Sequence, residues 1–241
     1  MTRLAVVIGS ALLFGVAGYV AAYLAYRTFK LNLLEPRRLQ APIQWTGDSD
    51  ARCTALLVGD SRISGWQIEA RPGWRIGRLG FSGEAAINIE PAVRDQIATA
   101  GADVVVIQAG TNDATAAVFQ PEPLREETIA RAARAVIAIG EDARRAGASQ
   151  VIVLTIVPPI ELELWKRALM GSKQEELMTR IGNAIDSKAR AEGMAVDANL
   201  LFRDAGGKLR REYRIDGEHW SLAGYRVLNA ALWSQVQNCV H

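Results

Sequence analysis

The sequence predicts an α/β fold: a parallel sheet covered by helices on both faces. Two observations carry the prediction. Short apolar, β-branched runs alternate along the chain with longer stretches of helical period, and such runs, apolar on both alternating faces, are what strands buried on two sides look like. Gly101, Gly147 and Gly193 each follow a helical stretch, where a helix C-terminus calls for a left-handed residue.

Taken in order, the elements are these. Leu4–Tyr26 carries no charged side chain. As a helix it would span roughly 34 Å, enough to cross a hydrocarbon core of about 30 Å. Tyr19, Tyr23 and Tyr26 stand at its end, where an aromatic interface belt would lie. Residues 1–26 are therefore expected to be a single-pass membrane anchor, with a cleaved signal peptide ending near Val20-Ala21-Ala22 as the alternative. Ala11 and Gly15 form a small-xxx-small pair of the kind that supports helix pairing. Residues 27–52, with mixed charge, Pro36, Pro42 and the cluster Gly47-Asp48-Ser49-Asp50, read as a linker. The remaining domain, 53–241, offers strands at Ala55–Val58, Trp74–Leu79, Val104–Gln108, Val151–Val157 and Met194–Asp197, joined by right-handed crossovers. Helices are expected over about 84–100, 124–146, 173–192 and 221–238. The strongest strand stops at Pro158-Pro159.

Composition removes several function classes. The 241 residues carry a net charge of +2, and no basic-aromatic stripe points to nucleic acid. There is no phosphate-loop sequence, no C-x-x-C and no H-E-x-x-H, so a structural zinc site is not expected. Four lysines and arginines follow the apolar run (Arg27, Lys30, Arg37, Arg38) against Arg3 before it, which on the positive-inside rule places the main domain in the cytoplasm. The two cysteines point the other way. Cys53 and Cys239 flank the domain, and a disulfide between them would suit an oxidising compartment. The expectation adopted is an extracytoplasmic, periplasmic-type location.

Three short blocks hold the chemistry: Gly59-Asp60-Ser61, Gly110-Thr111-Asn112-Asp113 and Asp216-Gly217-Glu218-His219. All fall after strands or in the loop before the last helix, and in open α/β sheets ligands bind beyond the carboxyl ends of the strands. A serine hydroxyl needs a base to act as a nucleophile. His219 is the candidate, because the only other histidine, His241, ends the chain, and an imidazole titrates at about 6.5 in an open chain. Asp216, three residues earlier, can hold the imidazole. Asn112 offers a side-chain N–H and Gly80, in Arg78-Leu79-Gly80-Phe81-Ser82-Gly83, an unobstructed backbone N–H for a developing oxyanion. Singly, each has a plainer reading. Ser61 or Asp216 would cap a helix, Gly80 would supply a positive φ, and Asn112 would bond its own backbone.

In chain order and after successive strands, the three blocks and Gly80 (Gly59-Asp60-Ser61, Gly80, Gly110-x-Asn112-Asp113, Asp216-x-x-His219) together resemble the SGNH hydrolases, the GDSL esterase/lipase family, over about residues 53–241. The resemblance implies a flavodoxin-like three-layer α/β/α sandwich with five parallel strands. It implies Ser61 as nucleophile, His219 as general base and then acid, and Asp216 as its orienting carboxylate. The oxyanion hole would be formed by Ser61, Gly80 and Asn112, with no metal or organic cofactor. Arg62 departs from the Leu or Ile often found after the serine. Trp220, after the histidine, is a second departure. Both are expected to shape the acyl pocket, whereas Trp66 is expected to be ordinary packing. The loop at 158–172, with Trp165, is expected to line or cover the site. The implied function is a membrane-anchored serine esterase acting on acyl esters of small molecules, glycans or lipids, O-acetyl groups included. An acyltransferase using the same site and a catalytically silent scaffold are the alternatives.

Overall fold

The computed structural model describes residues 2–158, 163–196, 201–204, 206 and 209–236. Its sheet has six strands in the order β1-β3-β2-β4-β5-β6: β1 Gln44–Gly47, β2 Cys53–Gly59, β3 Trp74–Gly80, β4 Val104–Gln108, β5 Gln150–Leu154 and β6 Ala195–Val196. Five are parallel, and β1 alone runs antiparallel, pairing Gln44 with Arg78 and Gly47 with Arg75 along the outer edge of β3. Without β1, the five parallel strands follow the flavodoxin-like order 2-1-3-4-5, whose switch point lies between the first and third of them. In this chain that is the gap between β2 and β4.

The period-2 alternation of strand side chains builds two cores. Leu56, Val58, Val105, Ile107, Val151 and Val153 face one way. They are covered by α3 Ala86–Ala100, α5 Glu122–Arg145 and α7 Lys173–Ala191. Ala55, Leu57, Val104, Val106, Ile152 and Leu154 face the other way, against α8 Leu222–Gln235 and the buried rings of Trp66, Phe202, Trp220 and Tyr225. Three short helices complete the set: α2 Ser61–Ser64, α4 Thr111–Ala117 and α6 Leu164–Met170. The expected helices thus form within a few residues of their expected bounds. Gly101 closes α3 in the left-handed region (φ 61°), as its position after the helix requires. Val151–Val157 is strand only to Leu154, although Thr155, Ile156 and Val157 remain buried. Asp197 lies outside the described residues.

One expectation for the N-terminal part needs correction, and a second finds no support in the helix itself. The stretch 27–52 is not featureless. It ends a helix, α1 Thr2–Asn32, buries Leu33 and Leu34 against Ala85 and Ala116, and supplies β1. The expected membrane span over 4–26 lies within α1. Among the described residues, however, no helix is long and apolar enough to cross a membrane. The tyrosines expected at a lipid interface instead touch the domain. Tyr23 and Tyr26 pack edge-on against Phe119, Tyr26 also meets Trp165, and the Tyr19 hydroxyl donates to the Ala168 carbonyl at 2.9 Å. Cys53 is disulfide-bonded, and its expected partner Cys239 lies outside the described residues.

Candidate active site

The carboxyl end of β2 delivers Gly59, Asp60 and Ser61 to the switch point. Gly59 is compelled by packing, because a Cβ there would fall 1.9 Å from the Gln108 carbonyl oxygen on β4. Asp60 is fully buried and caps α2, its carboxylate accepting from the Arg62 amide at 3.0 Å. Ser61 is therefore the first residue of α2 rather than its cap. There its backbone N–H is one of those for which a helix has no internal acceptor.

The chain returns to this point through the loop between Arg211–Tyr213, a 3₁₀ turn, and α8. The His219 Nε2 lies 3.0 Å from Ser61 Oγ, and its Nδ1 lies 2.9 Å from Asp216 Oδ2. The other Asp216 oxygen accepts from the Glu218 and His219 amides, both at 2.7 Å. Asp216 thus closes a turn on its own backbone and does not cap the last helix, a role taken by Ser221. Burial pushes the Asp216 carboxyl up, but the hydrogen bonds from the His219 ring and the two amides more than offset it, and its pKa falls to about 2. An ionised Asp216 selects the tautomer with hydrogen on Nδ1 and leaves Nε2 as an acceptor facing the serine hydroxyl.

Gly80 and Asn112 stand at the ends of β3 and β4, the two strands flanking β2. Gly80 does not adopt a positive φ. It is glycine because a Cβ would come within 2.4 Å of the Ser64 backbone in α2. Asn112, in the first turn of α4, donates one side-chain N–H to the Glu84 carbonyl at 3.0 Å. A carboxamide has two donors, so this bond orients the side chain and leaves its second N–H to serve another acceptor. Beneath lies Asp113, fully buried, accepting from the Ala86 amide at 2.7 Å. Burial raises its pKa to about 6, against the lowering effect of backbone N–H groups and helped by the charge of Asp60.

Several residues around the site carry weight that the sequence did not reveal. Arg62 is fully buried and does not line an acyl pocket. Its Nε donates to the Glu218 carbonyl at 3.0 Å and its Nη2 to the Val157 carbonyl at 2.9 Å. Its guanidinium lies 4.7 Å from the centre of the Trp220 ring. Trp220 is likewise buried, stacked on Phe202 at 4.3 Å, with the Arg214 guanidinium also at 4.8 Å. Glu218 is held by Lys166 at 2.7 Å and by Gln174, which tie α6 and α7 to the histidine loop. Trp66 is packed in the core as expected, donating to Asn229 at 2.7 Å. Trp165 is half exposed and rests on Tyr26. Residues 159–162 of the expected covering loop lie outside the described residues. The only sequence signal for the Arg62 role was a long cation in a turn of mostly small residues.

Residues 47–227 match the model of the GDSL-like lipase/acylhydrolase family. No curated protein sequence matches the chain. Among solved structures, a GDSL-like lipase from Bacteroides thetaiotaomicron is 21% identical, with a TM-score of 0.57 over 75% of this chain and 86% of that one. An aryl esterase from M. smegmatis is 20% identical, with a TM-score of 0.59 over 78% of this chain and all of that one. A catalytic mutant of an acetylxylan esterase from Geobacillus stearothermophilus is 17% identical, with a TM-score of 0.57 over 76% and 94%. At these identities the structural likeness speaks to the fold.

Proposed function

The chain belongs to the GDSL-like lipase/acylhydrolase family and is a carboxylic ester hydrolase; on that premise we propose that Ser61, His219 and Asp216 are its catalytic triad. The observation that carries this reading is the unbroken chain of hydrogen-bond contacts from Ser61 Oγ through His219 to Asp216, at 3.0 and 2.9 Å. Ser61 Oγ attacks the acyl carbonyl as His219 Nε2 takes its proton. The tetrahedral oxyanion is received by the N–H groups of Ser61 and Gly80 and the side chain of Asn112. The intermediate collapses to an acyl-serine, and the protonated imidazole hands its proton to the departing alcohol. Water, deprotonated by the same nitrogen, then reverses the sequence and frees the acid. Asp216 stays ionised throughout and stabilises the imidazolium.

The substrates assigned are short acyl esters, with O-acetyl groups on glycans as the leading class; the fold shared with an acetylxylan esterase is compatible with this. A lipid-ester reading is favoured by a different observation: Leu164 and Trp165 on α6, which Lys166 ties to the histidine loop, and Ile215 beside Asp216 are 84%, 51% and 77% exposed. For location, the reading is membrane attachment through the uncharged residues of Leu4–Tyr26, with the domain outside the cytoplasm. The disulfide at Cys53 supports the latter part.

The full chain, extracted in detergent, should hydrolyse p-nitrophenyl acetate, and Ser61→Ala should lose at least about a thousandfold in kcat. Undiminished turnover by Ser61→Ala would refute the triad. Comparing acetate with laurate esters decides between the substrate readings, with kcat/KM favouring acetate if the glycan class is right.

A further inference from the structure

The hydroxyl of Ser61 and the ring of His219 come from segments 158 residues apart in sequence, and the loop carrying His219 is neither helix nor strand. Backbone bonds close the loop on itself, through an Arg214–Trp220 bridge and the Ile215 N–H to the His219 carbonyl at 3.1 Å, but side-chain tethers join it to the Ser61 turn, and Arg62 makes the most direct of them. Arg62 follows Ser61, and Glu218 precedes His219. The 3.0 Å bond from Arg62 Nε to the Glu218 carbonyl is thus a second rung, one residue removed on each side from the Ser61–His219 contact. The same guanidinium reaches the Val157 carbonyl beyond β5 and lies against the Trp220 ring, which follows the histidine. The turn that bears it is fixed in its own right: the Tyr225 hydroxyl donates to the Arg62 carbonyl at 2.8 Å, and Asp60 accepts from its amide. The opposite side of the Glu218 peptide is also held, its N–H by Asp216 and its carboxylate by Lys166 and Gln174.

A fully buried guanidinium is a costly way to gain stability, since its desolvation offsets most of what its partners return. What it supplies here is geometry. The planar fork serves two carbonyls from two segments at once, which a single ammonium on a flexible stem cannot do. We propose that Arg62 is a positioning residue for the esterase reaction, a buried strap that sets the distance between the nucleophile turn and the histidine loop. The proposal rests on the triad reading above. Arg62 touches neither substrate nor reacting atoms, so its loss acts on turnover rather than on binding. Misplacing the base by about 1 Å costs on the order of a hundredfold in rate.

The test compares wild type, Arg62→Lys, Arg62→Leu and Ser61→Ala as full chains in detergent. It reads kcat and KM on p-nitrophenyl acetate, the rate of fluorophosphonate labelling, and the number of reactive sites by active-site titration. The expected result is a kcat lowered about ten- to a hundredfold per titrated site in both Arg62 variants. KM should stay within about twofold, labelling should slow in step, and Lys should fail to rescue. Wild-type kcat per titrated site in either variant overturns the proposal, because the arginine would then be structural filling. So does failure of both variants to fold while Ser61→Ala folds normally, which would assign Arg62 to the core alone. If Ser61→Ala keeps wild-type activity and labelling, the triad reading itself has failed, and that outcome is distinct from a failure of the strap.

Discussion

At the scale of single residues, the site depends on the absence of a methyl group. The backbone of Ser64 fills the space where a Gly80 side chain would begin, and the Gln108 carbonyl fills the corresponding space at Gly59. Neither obstacle is the flexible end of a side chain, so it cannot swing aside. Gly80→Ala should cost about 1–3 kcal/mol, the usual penalty for forcing atoms into a packed region, and should displace α2 with Ser61 on it. A denaturant titration alongside kcat would register both effects, and an unchanged midpoint would mean that the contact is softer than its distances imply. Much of this was legible in the sequence. Ser61, Asp216 and His219 were found from residue type and order, and the structure brings the three into hydrogen-bond contact. The physical reason for Gly80 was not legible, because a close approach between β3 and α2 leaves no local trace, whereas a positive φ often does. Arg62 was expected in the acyl pocket and Glu218 was given no role for a related reason. Charged residues are read from sequence as solvated, and only the fold shows that these two are turned inward and paired.

At the scale of elements, α1 is the part whose role changes most. Read as a membrane anchor, it also puts Tyr19, Tyr23 and Tyr26 onto α4, α6 and their flanks, and it is followed by two buried leucines. Each buried leucine contributes roughly 1.5–3 kcal/mol and each aromatic pair about 0.5–1.5 kcal/mol. Removing residues 1–34 should therefore cost on the order of 5–10 kcal/mol, a large share of a typical domain's stability. Comparing the unfolding midpoints of the truncated and full-length chains would measure it, and equal midpoints would return α1 to the status of a tether. The central strands were readable because β2, β4 and β5 are apolar on both faces. The edge strand β1 was not, because its four residues are short and mostly exposed. Such a strand owes its structure to the β3 backbone beside it rather than to its own pattern.

At the scale of the whole molecule, two aspartates give stability opposite dependences on pH. Asp216 has a folded pKa of about 2. Its contribution is complete above about pH 4, where an unfolded aspartate is ionised, and is lost as pH falls toward 2. Asp113 has a folded pKa of about 6. Between about pH 4 and 6 the folded chain keeps a proton that the unfolded chain has given up, so stability falls as pH rises through this window and stays lower above it. Asp113→Asn can still accept from Ala86. It should flatten that slope and gain on the order of 2–3 kcal/mol at pH 7; a slope that persists in the variant would place its origin elsewhere. The α/β/α architecture was legible at this scale from the alternation of elements alone, since parallel strands and covering helices leave few other arrangements. What alternation cannot convey is how far the loops beyond the strand ends converge. That convergence is the central claim, and intact-protein mass spectrometry after fluorophosphonate treatment tests it most directly. The account predicts a single stoichiometric adduct that maps to Ser61 and is absent from Ser61→Ala. An unmodified wild type, or an adduct that persists in Ser61→Ala, would contradict it.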